Sequence, residues 1–357
     1  MQSLTVLLAS LAAFSAPAVA APSSSSSVSL SSKVIGQLPD GTWLENLAVR
    51  PNGDVLTTLL FPYGAIYTIR QSPKGLHGLE LLANFTSVNS LGGISPVAVS
   101  SGLETYVVVG ANTTGLSQPI RGTFSAWTVT FQPTKSGATR EQFSIKKVSD
   151  MSPNSTFLNG VISIPDVLHA VLVSDSAAGS VGYLDIQTGK LDPNAFVFPE
   201  MQPVQGGAFP LGIDGIRIHD GYLYWTNTLR VVIYRVALAA SGYPATGATP
   251  EVVANLTSLA HGLDDFAFDS RGNILAATNF DNSVLYVDTR TGDAKTILGG
   301  EDDITFAGCT GVSLGRGWAE PNTFFVSTSG GLANPVGGNR TAGASIVSVV
   351  ASRTLCN

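Results

Sequence analysis

Charge is scarce in this chain. Only 12% of its 357 residues are Asp, Glu, Lys or Arg, about half the usual share for a soluble domain. The 25 acidic and 19 basic residues leave a net charge of −6, which argues against nucleic acid and anionic membrane surfaces as partners. Cysteine is nearly absent too. Cys309 and Cys356 are too few for a disulfide scaffold or a zinc cluster. Also missing are a Gly-x-Ser-x-Gly elbow, a His-Glu-x-x-His pair, a Walker loop and a Gly-x-Gly-x-x-Gly turn, so serine-hydrolase, zinc-protease and nucleotide-dependent chemistry find no support. The apolar stretch Leu4 to Phe14 falls short of the roughly 20 residues a membrane span needs, and Ser10, Ser15 and Pro17 interrupt it and its flank. Nothing later is longer, and no helical periodicity is sustained.

What remains is apolar and glycine-rich. Hydrophobic residues make up 44% of the chain and glycines number 38, which suits a large core and small-molecule partners. The N-terminus ends its apolar stretch at Ala18-Val19-Ala20, a small-x-small cleavage pattern. Residues 1–20 are therefore expected to be a signal peptide, although they contain no Lys or Arg. Residues 21–32 form a Ser-rich leader, and 33–357 form the folded domain, in the secretory pathway or outside the cell. Sequons at Asn84, Asn112, Asn154, Asn255 and Asn339 fit that route as glycosylation sites. In an oxidising compartment a Cys309–Cys356 bridge is expected to pin the C-terminal strand; a catalytic thiol is the rival, with no histidine placed to serve it.

Short Val, Ile, Tyr, Phe and Thr runs with period-two alternation, bounded by Gly, Asn, Asp and Pro, read as strands throughout. One unit recurs: a polar or glycine start, an apolar strand, a turn, a strand ending in Thr, Ser or Asn, and a third strand. Its starts lie at Glu45, Gly93, Asn159, Asp214, Asp264 and Thr310, roughly fifty residues apart, the longest interval absorbing an insertion at 135–154. Six such units without alternating helices predict an all-β, six-bladed β-propeller with four-stranded antiparallel blades. Val34 to Leu38 is expected to supply the outer strand that closes the ring on blade six.

In a propeller the first residues of each innermost strand face the central channel. This register gathers Glu45/Asn46, Gly92/Gly93, Asn159, Asp214, Asp264/Asp265 and Thr310 at one place. Hard oxygen donors of this kind suit Ca2+ or another divalent cation. Alternatively, crowded buried carboxylates raise one another's pKa and leave a general acid. Any one of these residues also has a structural reading, as an Asx turn; Asp265 is the better structural candidate of its pair. Trp43, Phe61 and Tyr63 are placed to wall a pocket and His261 to reach its mouth, whereas Phe209, Trp225, Phe266 and Phe280 read as core between blades.

At these positions the chain resembles the gluconolactonase/regucalcin (senescence marker protein) superfamily. The resemblance rests on Trp43-Leu44-Glu45-Asn46-Leu47-Ala48-Val49 with Pro51-Asn52-Gly53, on Leu211-Gly212-Ile213-Asp214-Gly215-Ile216, and on Gly262-Leu263-Asp264-Asp265-Phe266-Ala267-Phe268-Asp269. It implies one axial divalent cation held by Glu45, Asp214 (at a position where the family has Asn) and Asp264, with Asn159 lining the same site. The Gly92-Gly93-Ile94 start of blade two lacks the polar pair that holds sugar lactones in that family. The chain is more similar to a fungal, secreted branch marked by Trp-Leu-Glu-Asn-Leu-Ala-Val, which includes hetero-Diels–Alderases of tropolone–sesquiterpene biosynthesis. That resemblance implies a polyketide o-quinone methide adding across a terpene alkene without a required cofactor, Glu45, Asp214 and Asp264 as catalytic acids, and Trp43, Asn159, Phe61, Tyr63 and His261 as substrate contacts. Two other expectations stand beside it: a metal-dependent lactonase or esterase, and a non-enzymatic binding propeller. A monomer or homodimer is expected.

Overall fold

A computed structural model of the chain describes residues 29–352, apart from 73–74, 117, 134–140, 152, 154, 208 and 317–321. Residues 1–20, expected to be a signal peptide, Asn154 and Cys356 lie outside the described residues. β-Branched and aromatic runs such as Tyr106-Val107-Val108-Val109 pack well on pleated surfaces, and the described residues form 24 strands. After β1 (Leu30–Gln37), blade one comprises β2 (Trp43–Val49), β3 (Val55–Phe61), β4 (Ala65–Ser72) and β5 (Gly75–Asn84). Blade two is β6 (Ser90–Pro96), β7 (Thr105–Ala111), β8 (Ser125–Phe131) and β9 (Phe143–Asp150). Blade three is β10 (Leu158–Ser163), β11 (Ala170–Asp175), β12 (Ser180–Asp185) and β13 (Leu191–Phe196). Blade four is β14 (Ile213–His219), β15 (Tyr222–Asn227), β16 (Val232–Ala237) and β17 (Glu251–Asn255). Blade five is β18 (Phe266–Phe268), β19 (Ile274–Thr278), β20 (Ser283–Val287) and β21 (Ala294–Gly299). In blade six, β22 (Cys309–Leu314), β23 (Thr323–Thr328) and β24 (Ser345–Ala351) are completed by β1 as the outermost strand.

Each blade is a four-stranded antiparallel sheet, so the chain is a six-bladed β-propeller. Sealing the ring with β1 against β24, from Leu30 opposite Ala351 to Gln37 opposite Ser345, ties the two ends of the fold together. The strand starts at Leu30, earlier than the sequence pattern suggested, because its ladder with β24 extends into the stretch read as leader.

Six apolar clusters fill the six gaps between neighbouring blades. Leu56, Ile66, Ile94 and Trp127 join blades one and two, and Leu172, Phe196, Ile216 and Trp225 join blades three and four. Leu44, Leu59, Phe325 and Ile346 close the gap between blades one and six. Middle strands are buried on both faces, which is why β7 reads as a continuous apolar run. Cys309 opens β22, fully buried, with its thiol donating to the Phe306 carbonyl at 3.2 Å. Burial pushes the thiol's pKa up. Among the described residues no helix is long and apolar enough to cross a membrane.

Candidate functional site

The innermost strands share a local irregularity. The ladder between first and second strands slips between Leu44 and Leu47, Leu91 and Ile94, Leu158 and Val161, Ile213 and Ile216, and Cys309 and Gly311. A bulge bends the strand and redirects a side chain, and here it brings Glu45, Asn159 and Asp214 to one axial recess with Asp264. Hydroxyls on the second strands hold these bulges. Thr58 Oγ1 accepts from Asn46 N (3.1 Å) and donates to Gly92 O (2.6 Å) on the next blade. Ser174 links Gly160 N (2.8 Å) to Asp214 O (2.6 Å), and Thr226 links Gly215 N (3.1 Å) to Asp264 O (2.8 Å). Ser327 donates to Glu45 O at 3.0 Å, closing the circle from blade six to blade one. Blade two has Val109 opposite its bulge, and blade five, whose ladder does not slip, has Ala277 at that place, so neither offers a hydroxyl for such a link.

The recess holds about 180 Å3 of accessible space and opens to solvent at its mouth. Its floor is Glu45, Asp214 and Asp264, with Asn159, Thr228 and Asn279 beside them. Each carboxyl is anchored by protein donors, Asp264 by the backbone N–H of Asp265 (3.1 Å to Oδ1) as well as by a side chain. The Trp43 indole N–H donates to Glu45 Oε2, Thr228 Oγ1 donates to Asp214 Oδ2 at 2.7 Å, and Asn279 Nδ2 donates to Asp264 Oδ2 at 2.8 Å. Burial pushes Glu45 up to about 8, reinforced by the charge of Asp214 and opposed by the Trp43 hydrogen bond. Burial also raises Asp214 to about 7, against the Thr228 hydrogen bond. Asp264 is driven well above the usual carboxylate range by burial and by its two acidic neighbours. Near neutral pH the floor is thus rich in carboxylic acids capable of donating protons.

Asp265 points away from this trio and is structural. It accepts from Asn46 Nδ2 at 2.5 Å, from Arg217 Nη2 at 2.6 Å and from Phe266 N at 2.7 Å, linking blades one, four and five. Gly215 is required beside it, since a Cβ there would sit 2.4 Å from Asp265 Oδ1.

The axial ion that the family resemblance implies would be held by Glu45, Asp214 and Asp264 on this floor. Protein donors reach one oxygen of Glu45, one of Asp214 and both of Asp264. The buried oxygens Asn159 Oδ1, Asp214 Oδ1 and Asn279 Oδ1 do lack protein partners, an arrangement that hydrogen-bond donors of a bound molecule satisfy as well as an ion would.

The walls are apolar. Trp43, Leu60, Phe157, Pro210, Leu211 and Ala333 surround the floor. Phe209 and Phe280, which the sequence pattern placed in the inter-blade core, stand at the recess instead, with ring centroids 6.0 Å apart. Both lie on loops, where strand alternation carries no information. Trp225 and Phe266 are fully buried core residues, as expected. Phe61 lines a neighbouring apolar pocket rather than the recess. Tyr63 is 42% exposed and bonds Tyr67 Oη at 2.6 Å, outside the recess lining. His261 is drawn outward by Asp281, at 2.6 Å from its Nδ1, and its side chain is 89% exposed. Thr228 and Asn279 were not singled out in sequence, yet a signal existed: they follow Asp214 and Asp264 by 14 and 15 residues, at the ends of second strands. Of the sequons, Asn84, Asn255 and Asn339 are exposed and Asn112 is half-buried.

Fold and site together define a six-bladed propeller with an acid-floored, aromatic-walled axial recess. The sequence is 29% identical over 345 residues to a protein of Phoma sp described as "Putative hetero-Diels-Alderase", covering 91% of this chain and 94% of that one. It is 27% identical over 326 residues to "Putative hetero-Diels-Alderase asR5" of Sarocladium schorii, covering 84% and 78%. No family model matches. Among solved structures, luciferin-regenerating enzyme superposes with a TM-score of 0.62 at 11% identity, covering 90% of this chain and 95% of that one. A gluconolactonase of Xanthomonas campestris gives 0.56 at 12% identity, covering 91% and 89%, and regucalcin of Agrobacterium tumefaciens gives 0.54 at 14%, covering 89% and 93%. These distant structures share the fold.

Proposed function

We propose that the recess promotes an intermolecular hetero-Diels–Alder cycloaddition between a polyketide o-quinone methide, of the tropolone type, and a terpene alkene. The observation that carries this reading is the pairing of raised-pKa carboxyls on the floor with an apolar, aromatic wall. Two relatives named for the same reaction class support it.

The chemistry follows from the arrangement. A hydroxymethyl tropolone or phenol loses its side-chain hydroxyl as water, the proton coming from an acid on the floor. The ring hydroxyl gives up its own proton, so the floor is restored and an o-quinone methide remains. General acid assistance of this kind is worth roughly 10²–10⁴ in rate. The heterodiene then adds across the alkene, forming one C–C and one C–O bond and giving a dihydropyran with no atom lost and no redox partner needed. Holding both reactants in contact recovers up to about 7–11 kcal/mol of the bimolecular cost. Glu45, Asp214 and Asp264 are the acids, Asn159 and Asn279 accept the substrate's hydroxyl hydrogens, and Trp43, Phe157, Phe209 and Phe280 exclude water. Exposed sequons at Asn84, Asn255 and Asn339 support a protein made in the secretory pathway.

The test is turnover of a hydroxymethyl tropolone and a humulene-type alcohol against the protein-free mixture. The reading expects product formation that drops about 100-fold in Glu45→Gln or Asp214→Asn. A rate equal to the uncatalysed mixture sinks it. So does one stoichiometric divalent ion whose removal by EDTA abolishes turnover, an outcome that would favour the lactonase-type alternative.

A further inference from the structure

The acids and the aromatic pair stand at different depths of one recess. Glu45, Asp214 and Asp264 on the floor are 4%, 3% and 6% exposed, whereas Phe209 is 41% exposed at the mouth. Beside it are the exposed Pro210 and the half-exposed Phe280 and Ala333. Below the floor the axis is closed by side chains. Asn46 and Asp265, one residue further along the chain than Glu45 and Asp264, bond each other, and Arg217 of blade four joins them through Asp265 Oδ2 at 2.6 Å. The cavity at the opposite end of the blades, bordered by Val49, Pro51 and Glu104, shares no lining residue with the recess among the described residues. A molecule that reaches the acids therefore enters and leaves past Phe209 and Phe280.

Two neighbours fix the aromatic pair in place. Gly262 leaves room for the Phe280 ring, since a Cβ there would lie 2.4 Å from Phe280 Cδ2. Asn334 Nδ2, from the loop after β23, donates to Phe280 O at 2.7 Å and ties the two loops together. The Phe209 ring stands 6.0 Å from that of Phe280, centroid to centroid, and a patch of aromatic surface is left facing water at the opening.

Space decides what lies where. The recess offers about 180 Å3, less than the roughly 300–1,000 Å3 of a site for one drug-sized ligand, so it takes one ring system and not two reactants side by side. We infer that the reactants bind in a compulsory order: the hydroxymethyl tropolone or phenol first, on the acid floor, and the alkene second, at the mouth against Phe209 and Phe280. The inference rests on the cycloaddition reading for its reaction, but the layering is a separate claim about binding. The first reactant needs the acids, which stand only at the bottom. The water it loses has one way out, and that way is open until the alkene arrives. The alkene carries no group on which the acids act. It gains by covering the two rings and the face of the molecule already seated, at about 25 cal/mol per Å2 buried.

Calorimetry on the whole protein tests the order with two probes: 2-hydroxybenzyl alcohol as a hydroxymethyl phenol and geraniol as a soluble alkene. 2-Hydroxybenzyl alcohol is expected to bind the free protein and, at saturation, to tighten geraniol by about fivefold or more. Phe209→Ala is expected to weaken geraniol about tenfold in that ternary complex while leaving 2-hydroxybenzyl alcohol alone within about twofold. Phe280→Leu checks the same point from the facing loop. In turnover, both variants are expected to raise KM for the alkene more than KM for the tropolone. Competition between the probes, equal geraniol affinity with and without the phenol, or equal weakening of both probes in Phe209→Ala overturns the inference. Coupled binding in a protein with no cycloaddition rate would keep the layering and discard the reaction. Turnover in a protein where the two probes compete would keep the reaction and discard the order.

Discussion

Glu45 is the residue whose environment is most finely set. Its carboxyl is fully enclosed, next to Asp214, and its one strong protein donor is the Trp43 indole two residues earlier. That donor stabilises the carboxylate, so removing it raises the pKa further. Trp43→Phe keeps the aromatic wall and deletes the N–H; the alkaline limb of the pH–rate profile is expected to move upward, by about one pH unit. A limb that stays in place would show that Glu45 is not the titrating acid. Because the acid form is the active one, the parent protein should be most active below about pH 7 and lose activity as pH rises through 7 to 8, the range to which Asp214 and Glu45 are pushed. A general base or a metal-bound hydroxide would show the opposite trend.

At the scale of elements, the decisive device is the bulge on the innermost strands of blades one, three, four and six, with a hydroxyl behind it. Thr226 accepts from Gly215 N in its own blade and donates to Asp264 O in the next, so it joins two blades at the point where both present an acid. Thr226→Val keeps the shape and loses both bonds, leaving buried backbone groups without partners. It is expected to destabilise the fold by about 1–3 kcal/mol in urea denaturation. Val109 occupies the corresponding place in blade two, so Val109→Ala should act only through lost packing, as for an ordinary core residue. An equal effect on activity in both variants would show that the link does not position the acids. The recurring Thr, Ser or Asn at second-strand ends was legible in the sequence. Its purpose was not, because the carbonyl that each hydroxyl reaches belongs to the neighbouring blade, 34 to 40 residues on or, for Ser327, 282 residues back, and no local pattern marks it.

For the whole molecule, gathering three acids at one axis has a thermodynamic cost that depends on pH. The folded pKa values of Glu45, Asp214 and Asp264 lie above their ordinary values, so the folded state holds more protons than the unfolded chain. Stability associated with these groups is therefore fully present below about pH 4 and is lost as pH rises through 7 to 8. The slope from each carboxyl is at most about 1.4 kcal/mol per pH unit. Asp214→Asn is expected to flatten the loss between pH 5 and 8, raising Tm at pH 8 relative to the parent while lowering activity. An unchanged pH slope in that variant would mean that Asp214 is ionised in the folded protein.

The sequence by itself determined the propeller, because a strand unit repeated six times can bury its apolar faces only against copies of itself. It also determined that Glu45, Asn159, Asp214 and Asp264 share one register, since equal positions in equal units meet on the axis. Tertiary structure alone decided the rest. Phe209 and Phe280 come to the recess from loops, while Tyr63 and His261 turn away from it because Tyr67 and Asp281 lie within hydrogen-bonding reach. Thr228 and Asn279 acquire their roles only when a second strand lies beside an acid. The protonation of the floor is likewise a property of the assembled ring, because burial and mutual repulsion, which raise the pKa values, exist only once the blades have closed around the axis.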